Sequence, residues 1–207
     1  PAMIAAAAEA GLDELWLLGG AQAIAALTFG AELEDGVIAP VDKLFGPGNA
    51  YVAEAKRYAS SLPGGPACDL PAGPSELLVI ADRDADFEIV AADLLSQAEH
   101  DADAQVILVS DSGTALSEII AEVERQVDSL PRAAIARASL AEARAIRVRD
   151  RTEACEVANL YGPEHLSIQT QEAERLVERI SAAGAVFVGR WAAETLRDYV
   201  AGPSHVL

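Results

Sequence analysis

Three histidines are the side chains in this sequence whose type and surroundings best suit catalysis or metal binding. His100 ends a polar run at residues 96–100, His165 follows a Gly-Pro-Glu segment, and His205 follows a Gly-Pro-Ser segment. A neutral imidazole is both a general base near pH 7 and a common metal ligand. The histidines therefore mark three places where chemistry is possible.

A metal site would need several donors from separate elements, with one position open if the site is catalytic. His100 and Asp198, with a further histidine, could supply such donors. Gln97 lies three residues before His100 and can project from the same helical face. However, a neutral amide oxygen is a weak donor for zinc. Histidines beside turns also often only form hydrogen bonds or face solvent, so spacing alone does not establish a metal.

Glu164 and His165 form an adjacent acid and base after the Gly162-Pro163 turn, which we expect to follow a strand. Such a pair could divide proton-transfer steps between its members. The alternative is an exposed loop pair without a role.

A second glycine-rich segment, Gly46-Pro47-Gly48-Asn49, lies between a predicted strand and a predicted helix. Glycines allow close approach of a ligand to the backbone, and a helix N-terminus favours negative charge, so the segment is similar to a nucleotide-binding turn. It lacks the third glycine of the dinucleotide fingerprint, because position 51 is Tyr. A tight turn without a ligand explains it equally well, and the same holds for Gly19-Gly20-Ala21-Gln22.

Short β-rich runs alternate with longer helical stretches along the chain. The pattern predicts an α/β fold of two Rossmann-like units, with mainly parallel sheets flanked by helices and ligand sites at the carboxyl ends of the strands. The predicted strands are residues 14–18, 41–45, 76–81, 105–110, 145–149 and 185–188, and the predicted helices are residues 21–29, 49–59, a stretch ending at 100, 114–127, 132–143, 171–182 and 192–199.

The segment 60–74 is rich in Ser, Pro and Gly, which is typical of a connection between domains. We therefore predict a first unit at residues 1–72 and a second at residues 73–207. The run from Val41 to Pro47 is similar to the run from Val157 to Pro163, which suggests two related halves.

Composition limits the class of protein. The formal net charge of -18 disfavours nucleic acids and anionic membrane surfaces as partners. No apolar run reaches the roughly 18 residues of a membrane-spanning helix. Cys68 and Cys155 form no C-x-x-C pattern, which fits a reducing, cytoplasmic setting. The chain starts without Met inside an Ala-rich stretch, so we expect a cut chain.

Several segments together resemble histidinol dehydrogenase, and the resemblance extends over nearly the whole chain. The matching segments are residues 19–27, 41–52, 72–76, 94–101, 159–166 and 198–207, and they include all the candidate residues named above. Six matches in the order of the family are more specific than any single motif.

The resemblance implies the oxidation of L-histidinol to L-histidine through an aldehyde, with two NAD and one Zn2+ per site. It implies the following roles: Gln97, His100 and Asp198 as zinc ligands; Glu164 and His165 as acid-base residues; Ser75 and His205, with Gln97, His100, His165 and Asp198, as substrate contacts; and Gln22 and Asn49 as NAD contacts. It also implies a homodimer with shared sites.

The chain departs from the family's pattern in extent. The family's C-terminal part carries a Glu and a His that enter the partner's site, and neither is present in this sequence, nor is the family's N-terminal region. We therefore expect this chain alone to bind zinc poorly and to turn over little. The rival interpretations are a paralogous zinc and NAD dehydrogenase for another small alcohol, a non-catalytic binding module, and a metal-dependent hydrolase.

Overall fold

The structure is a computed structural model that describes residues 2–46, 48–69 and 75–196. The chain forms two compact units, residues 1–73 and residues 74–207. The resemblance implies that the first unit contacts NAD and that the second carries the zinc-binding and catalytic residues, and both roles stay predictions. In the described ranges, no helix is long and apolar enough to cross a membrane.

The first unit combines three helices with two small sheets. Its elements are α1 (Ala2–Glu9), α2 (Gly20–Phe29), β1 (Ala31–Leu33), β2 (Gly36–Ile38), β3 (Lys43–Leu44), α3 (Ala50–Ser61) and β4 (Ala67–Cys68). Strands β1 and β2 pair antiparallel, and β3 pairs parallel with β4. The predicted strand at residues 14–18 is wrong: these residues are irregular, and Leu17 is 99% exposed. A run of apolar residues forms a strand only where a partner strand satisfies its backbone, and none in the described part of this unit does so.

The second unit is built on one five-stranded sheet in which all neighbouring strands are parallel. Its elements are β5 (Glu76–Ala81), α4 (Phe87–Ala98), β6 (Gln105–Ser110), α5 (Gly113–Val127), α6 (Ala133–Glu142), β7 (Arg144–Arg147), α7 (Arg151–Tyr161), β8 (His165–Gln169), α8 (Ala173–Val177) and β9 (Ala185–Val188). The strand order is β7-β6-β5-β8-β9. The predicted α/β class is therefore confirmed.

Alternate residues of the central strand face two separate cores, which is why β5 is apolar throughout. Leu77 and Val79 pack with α4, α5 and α6, whereas Leu78 and Ile80 pack with α7 and α8. A parallel sheet covered on both faces requires this continuous apolar pattern. Helix α4 begins at the carboxyl end of β5, where Asp86 caps it by accepting the N–H of Ile89, and it runs back across the sheet.

Four elements of this unit differ from the predictions. Helix α7 and strand β8 were not predicted, α8 is much shorter than residues 171–182, and residues 192–195 are not helical. Since Leu44 lies in a strand and Leu160 in a helix, the two similar runs have different structures. The similarity therefore does not support related halves.

Candidate active site at the amino edge of the sheet

The predicted acid-base residues lie at the amino edge of the sheet, not at the carboxyl edge that we expected. His165 is the first residue of β8, and Glu164 precedes it. The Gly162-Pro163 turn follows helix α7, not a strand, and Gly162 ends this helix in a left-handed conformation with φ 65°. A residue of that conformation reverses the chain after a helix. The reversal delivers Glu164 and His165 to the start of the neighbouring strand.

One residue of β5 binds both members of the pair. The backbone N–H of Glu76 donates to Oε2 of Glu164 at 3.1 Å, and the carbonyl oxygen of Glu76 lies 3.0 Å from Nδ1 of His165. The parallel pairing of β5 with β8, in which Leu77 lies opposite His165, creates this arrangement. The two side chains are therefore held by backbone groups of a buried sheet and not by a flexible loop.

The contact with Glu76 decides which nitrogen of His165 can act as a base. A carbonyl oxygen only accepts, so Nδ1 carries the proton of the neutral ring and Nε2 carries the lone pair. Nε2 lies 3.9 Å from Oε1 of Glu194, and the ring lies against Phe187 with centroids 6.0 Å apart. His165 is 4% exposed. Nε2 is thus the nitrogen that can accept a proton.

Helix α4 brings Gln97 to the same edge. Oγ of Ser75, which precedes β5, lies 3.3 Å from Oε1 of Gln97, and Nε2 of Gln97 is buried without a hydrogen-bond partner. The two ends of an amide are assigned, not observed. If Nε2 donates to Ser75 instead, a buried oxygen remains that can accept a metal ion or a ligand.

The ligand set is only partly described. His100 is exposed just beyond α4, and its backbone N–H donates to the carbonyl of Gln97. Asp198 and His205 lie outside the described residues. Within those residues, no group of three or more His, Cys, Asp or Glu side chains could hold a metal ion. Gln97 and His100 are suitable donors for a metal ion, because the amide of Gln97 has an unsatisfied atom and the imidazole of His100, three residues later and just beyond the helix, is exposed.

A buried acid that sequence reasoning missed lies behind this edge. Asp93 is 5% exposed and accepts a hydrogen bond from Nε2 of Gln169 at 2.7 Å and from Oγ of Ser167 at 3.4 Å. Burial raises the pKa of Asp93 to about 6, although hydrogen bonds from Ser167, Gln169 and the backbone of Glu194 oppose the rise. The available signal was an acidic residue inside the apolar stretch of α4. Nothing in the sequence marked Glu194.

Tyr161 was part of a matching segment but received no role. Its hydroxyl donates to Oε1 of Gln105, the first residue of β6. Burial, together with the negative charge of Glu76, raises the pKa of Tyr161 to about 12. Tyr161 therefore stays protonated and serves as a hydrogen-bond donor at this edge.

The predicted NAD contacts both lie in the first unit. Asn49 caps α3, because its Oδ1 accepts the N–H groups of Tyr51 and Val52 at 3.1 and 3.2 Å. Gln22 lies exposed in the first turn of α2, and its Oε1 would be 2.9 Å from a Cβ added to Gly20. The cap explains Asn49 without a ligand and leaves its amide nitrogen available for one.

An ion pair between a buried lysine and a largely buried aspartate fixes Gly46, three residues before Asn49, and sequence reasoning missed it too. Lys56 of α3 pairs with Asp69, and its Nζ also donates to the carbonyl of Gly46 at 2.8 Å. The N–H of Gly46 donates to Oδ2 of Asp69 at 2.8 Å. Burial by itself would raise the pKa of Asp69, but Lys56 and the Gly46 N–H outweigh it, so this pKa lies below its usual value. Both polar groups of Gly46 are thus satisfied by one ion pair.

A parallel sheet with an acid, a histidine and an amide gathered at one edge is typical of an α/β enzyme, and comparison with known proteins specifies which kind. The sequence profile of histidinol dehydrogenase matches residues 1–207. Histidinol dehydrogenase of Pectobacterium atrosepticum is 52% identical over 202 residues, which cover 98% of this chain and 45% of that protein. The enzyme of Escherichia coli (strain K12) is 50% identical, with 98% and 46% covered. The chain belongs to the histidinol dehydrogenase family.

A solved structure agrees with this assignment. Histidinol dehydrogenase from Elizabethkingia anophelis superposes with a TM-score of 0.88 at 44% identity, covering 96% of this chain and 45% of that one. The chain thus spans about half the length of the histidinol dehydrogenases that it matches.

Proposed function

We propose that the protein containing this chain oxidises L-histidinol to L-histidine through the aldehyde, as the last steps of histidine biosynthesis. NAD accepts the hydrides, and zinc is the bound metal. The observation that carries the proposal is the binding of Glu164 and His165 by the two backbone groups of Glu76. This arrangement gives one base whose Nδ1 is held by the backbone and one carboxylate beside it, within a member of a dehydrogenase family.

His165 serves the first oxidation. Because its Nδ1–H is held by Glu76, its Nε2 is oriented to take the hydroxyl proton of the substrate alcohol, and NAD, when bound, would accept the hydride from the alcohol carbon. A base that is already oriented needs no rearrangement in the transition state. The product of this step is the aldehyde, with one NADH formed.

Glu164 serves the second oxidation. One of its oxygens accepts the Glu76 N–H, and the other takes a proton from the water that adds to the aldehyde. His165 would take a hydroxyl proton from the hydrate, a second NAD would accept its hydride, and the carboxylic acid so formed would ionise to the carboxylate.

The remaining residues bind and orient. Gln97, His100 and Asp198 would hold zinc, which would fix the amine and imidazole of the substrate in place. Ser75 and His205 would contact the substrate, and Gln22 and Asn49 would contact NAD. We further propose a cytoplasmic homodimer in which residues of the partner complete each site, as the resemblance to the family implies.

The test measures NADH formed per L-histidinol by a full-length protein that contains this chain, before and after removal of metal with a chelator and return of zinc. We expect two NADH per substrate, loss of activity with the chelator, and recovery with zinc. Zinc-dependent activity with another small alcohol and none with histidinol would overturn the substrate.

Two variants separate the half-reactions. We expect His165→Asn to slow both oxidations, whereas Glu164→Gln should slow mainly the conversion of added aldehyde, each by about 100-fold or more. Glu178→Gln, which changes an exposed carboxylate of the second unit, is the control and should retain activity. Equal loss in all three variants would contradict the assignment.

A further inference from the structure

Three separate parts of the second unit meet at the carboxylate of Asp93. Asp93 itself lies in α4, Ser167 and Gln169 donate to it from β8, and the backbone N–H of Glu194 hydrogen-bonds to it from the segment after β9. The Gln169 contact, at 2.7 Å, is the shorter of the two side-chain contacts. These bonds join a helix, a strand and an irregular segment that no backbone ladder connects.

Each of the three parts also carries a residue of the candidate active site. Asp93 lies one helical turn before Gln97. Ser167 and Gln169 follow His165 at intervals of two, so all three side chains are on one face of β8. Glu194 faces Nε2 of His165 at 3.9 Å. Asp93 is therefore connected to the candidate active site through α4, through β8 and through the segment that contains Glu194.

Space filling does not explain an acid at this position. A buried carboxylate without a cation is costly, and no Lys or Arg of the described residues is among the groups that shift the pKa of Asp93. An apolar residue of the same size would avoid that cost, but it would leave the donors of Ser167, Gln169 and Glu194 buried without this acceptor. The function of the carboxylate is thus to accept hydrogen bonds.

We propose that Asp93 is a positioning residue, which holds β8 and residue 194 in the arrangement that places Glu194 opposite Nε2 of His165. Asp93 acts through these contacts and does not touch the reacting atoms. The inference relies on the proposed function only for the role of His165 as the base. The arrangement itself can be tested without activity.

The first experiment measures amide hydrogen exchange at Glu194 by NMR in the 207-residue chain and in two variants. Asp93→Asn keeps an acceptor oxygen and the size of the side chain, whereas Asp93→Leu keeps only the size. We expect protection of the Glu194 amide to fall about tenfold or more in Asp93→Leu and to be retained within about threefold in Asp93→Asn. Glu178→Gln, which changes an exposed acid of the second unit, is the control and should leave this amide unchanged.

Two results would overturn the proposal. If Asp93→Leu keeps the protection, Asp93 only fills space. If the Glu194 amide of the unaltered chain exchanges as fast as an unstructured peptide, the contact does not hold residue 194, and this outcome needs no variant to fold.

The second experiment compares steady-state kinetics of the same variants in a full-length protein. A misplaced base slows the chemical step, so we expect Asp93→Leu to lower kcat about tenfold or more with KM for histidinol changed less than about twofold. Asp93→Asn should restore most of kcat. A rise in KM alone would overturn the proposal. If exchange behaves as expected but no variant oxidises histidinol, the proposed function fails and the positioning role remains.

Discussion

Asp69 in the first unit and Asp93 in the second are acidic side chains with little access to solvent, but their neighbours differ. Asp69 has the ammonium group of Lys56 beside it, and its pKa lies below the usual value. Asp93 has only uncharged donors, and its pKa is raised to about 6. A nearby cation offsets the loss of hydration of a carboxylate, whereas neutral hydrogen bonds offset it only in part.

The difference teaches which property of each acid matters. The Lys56 and Asp69 pair needs both charges, because either one alone would be a buried, uncompensated ion. At Asp93 the charge is itself unfavourable and the accepting oxygen is useful. Removing the charge of Lys56 should therefore lower the stability of the first unit, whereas removing the charge of Asp93 should raise the stability of the second.

The largest expected effect comes from removing the cation of the first unit. Lys56→Met keeps the aliphatic part of the side chain but leaves the carboxylate of Asp69, which is 16% exposed, without its cation, so we expect a loss of about 3 kcal/mol in the free energy of unfolding. The measurement is urea unfolding followed by fluorescence of Trp16 in a Trp191→Phe background, so that the signal comes from the first unit.

Two further variants make this result specific. Adding Asp69→Leu to Lys56→Met should recover most of the stability, since neither buried charge then remains. Arg57→Ala, which breaks an exposed pair with Glu54 on the same helix, should not move the midpoint. A small effect of Lys56→Met, comparable to that of Arg57→Ala, would break the comparison.

The second largest expected effect is a pH dependence of the free energy of unfolding that is caused by Asp93 and is absent from the Asp93→Asn variant. Its pKa is raised in the folded state, to about 6 from an ordinary value of 3.8. Folded protein therefore binds the proton more tightly than unfolded protein, and this contribution to stability is lost as pH rises from about 4 to about 6. Relative to the unaltered chain, Asp93→Asn should gain about 2 to 3 kcal/mol between pH 4 and pH 7.

The measurement is urea unfolding of both proteins at several pH values, and the quantity compared is the difference between them. Acid effects from other carboxylates are common to the two proteins and cancel. A constant difference across this range would show that Asp93 titrates alike in both states. A difference of opposite sign would mean that folding lowers the pKa of Asp93, as it does for Asp69.

The fold of the second unit could be predicted further than that of the first, for a physical reason. Continuous apolar runs such as residues 76–81 and 105–110 occur because both faces of a parallel sheet are buried, so the pattern identifies the strand. Residues 14–18 show a similar run in the first unit, but no partner strand of the described residues completes it. Helix α7 was missed because its sequence is polar and mixed, and its clear signals are the Asp150 cap and Gly162 at its two ends.

The candidate site shows the limit of local patterns. The spacing of Gln97 and His100, and the adjacency of Glu164 and His165, are visible in the sequence. The binding of the latter pair by Glu76 joins residues nearly ninety positions apart, and only strand order and register determine it. The same holds for Asp93 with Gln169, and for Lys56 with Asp69.

The smallest expected effect concerns Asp82, which lies in the same unit as Asp93 but has a cation beside it. Asp82, at the carboxyl end of β5, is 1% exposed and pairs with Arg151 at 3.0 Å, while it also accepts the backbone N–H groups of Asp84 and Gln171. Arg151→Met should cost about 1 to 3 kcal/mol. This is less than the loss at Lys56, because Arg151 is 28% exposed and two backbone donors remain on Asp82.

The informative result is the order of the variants at pH 7, measured by urea unfolding with Trp191 as the probe in a Trp16→Phe background. If the cation decides how a buried carboxylate behaves, Arg151→Met must be more destabilising than Asp93→Asn, although both sites belong to the second unit. If Asp93→Asn is the more destabilising, the difference between Asp69 and Asp93 is caused by the unit in which each lies and not by the presence of a cation. Asp82 and Asp93 belong to one unit and Asp69 to the other, whereas Asp69 and Asp82 have a cation beside them. Comparing the three carboxylates therefore separates the effect of a neighbouring cation from the effect of the unit.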